Sequence, residues 1–230
     1  MSKITIDLYS DTITRPTQGM REFMSKAEVG DEQQREDPTV NKLVDMVCEL
    51  LKTEDAIFLP SGTMCNQISF RVFCRPGDEI IMDHTAHTRH YETGGPSALS
   101  GATMFPLEGR RCVFAASQLE AAIRPKANHF PRSRVALIEQ TSNLGGGSIW
   151  PIETIEEVCS LAHDRGLARH MDGARLLNAA VATGISAEIY AANFDSVWID
   201  FSKGLGAPVG AALAGSREFI QEAWRWKHQF

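Results

Sequence analysis

The chain lacks an excess of positive charge. Lys and Arg number 23 against 29 Asp and Glu, for a formal net charge of −6. That balance argues against a nucleic-acid partner, which needs a basic face. Paired cysteines are missing too. The five Cys are an odd number with no C-x-x-C among them, so they form neither a disulfide framework nor a zinc ribbon. They read as reduced thiols of a cytoplasmic protein. No stretch approaches the roughly 18 apolar residues of a membrane span, and the N-terminus has no apolar core of a signal peptide. Repeats and low-complexity segments are also absent. What remains is ordinary for a globular protein: 43% hydrophobic and 23% charged residues. A length of 230 residues is enough for one full domain with a large core.

Met1 to Pro16 reads as an extended arm, which divides the chain into an arm over 1–15 and one large domain over 16–230. Apolar residues at helical spacing predict helices over Met20–Ala27 and Thr39–Lys52, separated by the polar loop GDEQQREDP. From there strands and helices alternate. Strands are predicted at Asp55–Leu59, Glu79–Met82, Arg134–Ile138, Leu167–Met171, Ser196–Phe201 and Val209–Ala214. Helices are predicted at Met64–Cys74, Ile152–Arg165, Arg175–Ala182 and Arg217–Trp226. This order predicts a three-layer α/β/α sandwich on a mostly parallel sheet.

Ligands of such sheets bind at the C-terminal ends of the strands. Polar clusters stand at four of those ends: Asp83-His84, Glu139-Gln140-Thr141, Asp172-Gly173-Ala174-Arg175 and Ser202-Lys203-Gly204. Lys203 follows an apolar strand and has small neighbours, so it can form a Schiff base with a carbonyl cofactor. Asp172 can sit against a pyridinium nitrogen or cap the following helix. Arg175 can pair with Asp172 or donate to a ring oxygen. Ser61-Gly62-Thr63, between a strand and a helix, suits a phosphate or is an ordinary capped turn. The run DHTAHTRHYE holds three histidines without an H-E-x-x-H pattern or a carboxylate at useful spacing, so no metal is expected. His87 then stacks on a cofactor ring or serves the core or surface. Gly145-Gly146-Gly147 is a flexible turn rather than a dinucleotide fingerprint.

Six stretches together carry a resemblance. They are DLYSDTITRPT (7–17), EDPTVNKL (36–43), FLPSGTMCNQ (58–67), HTRHYETGG (87–95), HMDGARLLNAAVA (170–182) and SKGLGAPVGAALAG (202–215). The chain resembles the L-threonine aldolases, members of the β-eliminating lyase group of pyridoxal phosphate (PLP) enzymes of fold type I. The resemblance implies the large domain of that fold, with a seven-stranded sheet. It also implies PLP as cofactor and retro-aldol cleavage of L-threonine or L-allo-threonine to glycine and acetaldehyde. Carried over by position, Lys203 would hold PLP and Asp172 would bind its ring nitrogen. Arg175 would reach its hydroxyl, His87 would stack on it, and Gly62 and Thr63 would hold its phosphate. Ser10 would help bind the substrate carboxylate, Tyr91 would line the pocket and His129 would lie near the substrate hydroxyl. The proton acceptor could be His87, His129 or water. Sites shared within a homo-oligomer, a dimer or tetramer, are implied as well.

The chain departs from the family in three places. Gln34-Arg35 replaces a Tyr-Gly pair, and Glu139-Gln140-Thr141-Ser142-Asn143 replaces E-N-T-H-N. Both changes leave another β-hydroxy amino acid, such as a phenylserine, open as substrate. Members also continue into a small C-terminal domain that supplies an arginine for the substrate carboxylate and a basic residue for the phosphate. The resemblance therefore implies a truncated chain, either an active aldolase, an impaired PLP-binding fragment or another PLP lyase. If a partner domain once covered them, the last helix would also expose Phe219, Trp224 and Trp226.

Overall fold

The computed structural model describes residues 6–230. The part of the predicted arm over Met1–Thr5 lies outside the described residues. The rest of the arm carries one 3-10 turn at Asp11–Ile13, capped by Ser10. Helices α1 (Gln18–Lys26) and α2 (Pro38–Leu51) follow. Pro38 opens α2 where a missing N–H costs nothing, and Asp37 caps it, accepting from Val40 N–H at 2.8 Å. Next come β1 (Asp55–Leu59), α3 (Gly62–Phe73), β2 (Asp78–Asp83), α4 (His87–His90), α5 (Gly95–Ser100), β3 (Thr103–Leu107) and α6 (Ala116–Ala122). The chain continues through β4 (Arg132–Glu139), α7 (Ile152–Asp164), β5 (Ala168–Gly173), α8 (Leu176–Thr183), α9 (Ala187–Ala191), β6 (Ser196–Asp200), β7 (Ala211–Gly215) and α10 (Arg217–Lys227).

The seven strands form one sheet in the order β1-β7-β6-β5-β4-β2-β3. Strand β7 is antiparallel to both β1 and β6, and the remaining pairings are parallel. Six strands therefore end on the same edge. Successive residues of each strand face opposite layers, as the period of two requires. Ile81, Ala136, Ile138, Val197 and Ile199 join the core under α2, α6, α7 and α9. Ile57, Trp198, Ala211 and Leu213 pack with α3 and α10 on the other face. The predicted sandwich is the observed one.

Two expectations are corrected. Phe219 is buried, and Trp224 and Trp226 are half-buried against the core that α3 and α10 build; Trp226 also stacks under the Arg71 guanidinium at 3.9 Å. The last helix thus folds its aromatic residues into this domain. Helix α3 starts at Gly62, two residues earlier than predicted, because Ser61 caps it through Met64 N–H at 3.2 Å.

Strand β5 carries the edge on which the site is built, and it packs tightly on β6. A Cβ at Gly173 would lie 2.2 Å from the carbonyl oxygen of Trp198. Gly173→Ala is expected to lower unfolding free energy by about 1–3 kcal/mol or more, read by urea denaturation, because the strand has no room to give. A neutral result would show that β5 and β6 can separate.

Candidate active site

The C-terminal edge of the sheet gathers the chemistry. Beyond β6, Asp200 Oδ1 accepts from both the backbone N–H and the hydroxyl of Ser202 at 2.7 Å. Its other oxygen pairs with the Lys203 ammonium. That carboxylate shapes the turn and points the lysine inward, with Nζ 5.6 Å from the centroid of the Trp198 ring. From the arm, the Thr14 hydroxyl donates to the carbonyls of Ser202 and Lys203 at 3.0 Å.

Asp172 ends β5. One oxygen accepts from Ala174 N–H at 3.2 Å and the other from the Asn66 amide at 2.9 Å. Arg175 reaches back to the arm and grips Asp11 through two hydrogen bonds of 2.6 and 2.9 Å. This bidentate contact holds the Asp11 carboxyl below its usual range. Glu139 ends β4 and accepts from the backbone N–H groups of His87 at 2.9 Å and Asn143 at 2.8 Å. Burial, with the Asp172 charge beside it, nevertheless raises Glu139 to about 7.

His87 opens α4, and its Nδ1 lies 3.0 Å from a buried oxygen of Glu92. Burial disfavours its charge, but the Glu92 hydrogen bond with the nearby Asp172 and Glu139 carboxylates outweighs it and raises the imidazole. The expectation of no carboxylate at useful spacing is corrected here, since Glu92 stands five residues on. His87, Glu92 and Asp172 each offer a ligand atom within 4.8 Å of the others, a cluster that attracts positive charge.

At the end of β1, Ser61, Gly62 and Thr63 form the N-terminus of α3. Gly62 is required there, because a Cβ would sit 2.1 Å from the Trp198 ring. These strand ends and turns enclose one cavity of about 290 Å³, near the lower end of small-molecule sites at roughly 300 Å³. Its walls include Gly62, Thr63, His87, Asp172, Arg175 and Lys203. A primary amine, an opposed carboxylate, an imidazole and a helix N-terminus fit a flat pyridine aldehyde bearing a phosphate.

Three predicted residues stand apart from this wall. His129 is exposed in the loop before β4. The eight residues of β4 put that loop roughly 25 Å from the cavity edge. Tyr91 is 54% exposed, with its ring 5.4 Å from that of His87. Ser10 bonds to Thr12 at 2.8 Å, and it is Thr12 that reaches the cavity. Conversely, sequence reasoning gave no role to Asp11, Asn66, Glu92, Glu139 or Asp200. The strand-end rule offered a signal for Glu139 and Asp200, and two polar residues inside the buried face of α3 offered one for Asn66.

Residues 7–230 match the family described as Beta-eliminating lyase. The chain belongs to that family. Over 223 residues it is 40% identical to the low specificity L-threonine aldolase of Escherichia coli (strain K12), covering 96% of this chain and 66% of that protein. Low-specificity L-threonine aldolase 1 of Arabidopsis thaliana is 40% identical over 223 residues, 95% of this chain and 62% of its own length. The threonine aldolase of Leishmania major shares the fold, with a TM-score of 0.84 at 21% identity, over 96% of this chain and 65% of that one. The chain thus spans about two thirds of the length of these family members.

Glu139 gives this member of the family a pH signature. Its carboxyl ordinarily titrates at 4.5 and in the folded chain at about 7. A raised value means that stability from the protonated form is complete below about 4.5 and is lost as pH rises through about 7. Urea unfolding without added ligand should therefore show the native chain losing stability relative to Glu139→Gln between pH 5 and pH 8. A difference that does not change with pH would remove Glu139 as the titrating group.

Proposed function

We propose that this chain is a PLP-dependent carbon–carbon lyase that cleaves L-threonine or L-allo-threonine to glycine and acetaldehyde. The observation that carries the reading is the convergence of Lys203, Asp172 and His87 on one cavity at the strand ends. Bound there, PLP would supply an electron sink for the pair left on Cα when the Cα–Cβ bond breaks.

The chain's own residues do the rest. Lys203 would present the amine that anchors the cofactor, and Asp172 would accept from the N–H of its ring nitrogen. The N-terminal turn of α3 would hold the phosphate with backbone N–H groups around Gly62 and Thr63. Arg175 would reach the ring hydroxyl from its place beside Asp11. Glu92 accepts a hydrogen bond from Nδ1–H of His87, which would leave Nε2 unprotonated as a proton acceptor for the β-hydroxyl. Water or His129 are the other acceptors, and His129 could serve only from a neighbouring copy. A homo-oligomer with shared sites, a dimer or tetramer, would bring that residue to the cavity, and in it Ser10 would help hold the substrate carboxylate and Tyr91 would line the pocket. The five free thiols support a reducing compartment such as the cytoplasm.

One observation favours a second reading, a PLP-binding chain with impaired catalysis. The guanidinium in the cavity wall belongs to Arg175, and among the described residues it is already paired with Asp11. No other arginine in that wall is left for a substrate carboxylate.

The test is visible absorption with added PLP, then borohydride reduction, peptide mapping and a glycine assay with threonine. A pyridoxyl group on Lys203 with glycine release is the expected result, and Lys203→Ala abolishes both. A pyridoxyl group without glycine would select the second reading. No pyridoxyl group at all would overturn both.

A further inference from the structure

Asn66 sits on α3, fully buried, behind the cavity rather than in its wall. Two neighbours fix which end of its amide is oxygen. The Trp198 indole can only donate, and its Nε1 lies 2.7 Å from Asn66 Oδ1. His170 Nε2 lies 2.9 Å from the same oxygen, so it must carry the imidazole proton. Its Nδ1 then accepts from the Ser196 hydroxyl at 2.7 Å. The imidazole is fully buried, and burial pushes it down to about 3, so it stays neutral.

With the oxygen so placed, the two N–H bonds of Asn66 have a single direction. One donates to Asp172 Oδ2 at 2.9 Å and the other to Glu92 Oε1 at 2.7 Å. Glu92 in turn holds His87, and its second oxygen accepts from Gln67 at 2.6 Å. One saturated amide therefore ties the carboxylate at the ring-nitrogen position to the carboxylate that orients the imidazole, and anchors both to the core.

We propose that Asn66 is the positioning residue that sets the Asp172 carboxylate and, through Glu92, the His87 imidazole against the cofactor. This rests on the function proposed above. Asn66 touches neither cofactor nor substrate. It acts by fixing the spacing of two like charges that would otherwise move apart.

Asn66→Asp keeps the size but turns an acceptor oxygen toward two carboxylates. The variant, folded by circular dichroism, should bind PLP at least about tenfold more weakly, as the loss of hydrogen bonds to charged groups implies. The pH profile of its visible absorption should shift as well. Ile68→Val, in the same buried helix, should move neither. Binding and pH profile within twofold of the native chain in folded Asn66→Asp would overturn the proposal. A second measurement does not depend on the variant folding. In 15N spectra of the unaltered chain without PLP, His170 should carry its proton on Nε2 alone from pH 5 to pH 8. The opposite tautomer, with the proton on Nδ1 alone, would reverse the amide and overturn the proposal. Failure of the unaltered chain to bind PLP would overturn the function and the positioning role with it. The expected tautomer would then locate the fault in that function and not in the network.

Discussion

Glu92, Glu139, Asp172 and Asp200 are all buried along one edge of the sheet, and buried like charges are tolerated only when donors surround them. Most of the local structure follows from that requirement. Asp200 is held by Ser202 and Lys203, Asp172 by Ala174 N–H and Asn66, and Glu139 by two backbone N–H groups. Glu92 takes donors from three side chains. The donors come from the turns after β4, β5 and β6 and from helices α3 and α4, so satisfying the carboxylates also fixes those segments relative to one another. The negative field that remains favours cations, which suits an ammonium and a protonated ring nitrogen better than a neutral ligand.

The arm is tied to the same edge by charge. Asp11 grips Arg175, and Thr14 bridges the two carbonyls around Lys203. A segment whose Ile6, Leu8 and Tyr9 bury little of themselves is thereby held over the cavity. Burial of apolar area does not hold it there. Because the anchor is an ion pair across the cavity wall, whatever displaces Arg175 from Asp11 also loosens the arm.

The sheet was legible because its central strands are buried on both faces and read as unbroken apolar runs, as EIIM, RVALI and SVWI do. Strand β3 escaped because it is an edge strand with Pro106 inside it, a residue tolerated where only one side is paired. Helices α4, α5, α6 and α9 are 4 to 7 residues long, too short to display a 3.6-residue period. Lys203, Asp172, His87 and Gly62 could be placed because each sits in a short motif beside a strand end. His129 has no such local frame. Its position on the opposite edge follows from the direction of β4, and its proposed role needs a second molecule that one chain's pattern does not encode.

Asn66 shows a different limit. It is 106 residues from Asp172 and 132 from Trp198, so no spacing rule links them. Its residue type still carries information. An asparagine buried in a helix whose neighbours Cys65, Ile68 and Phe70 are apolar would cost stability unless all of its hydrogen-bonding groups were satisfied. Sequence therefore says that such a residue must have partners, and the crossing of α3 over β5 and β6 decides which ones. Those partners include the Asp172 carboxylate and the indole that closes against Gly62. The helix whose N-terminus suits a phosphate and the strand whose end suits a ring nitrogen are thus joined by one amide. Their spacing is set by hydrogen bonds inside the core before any ligand arrives.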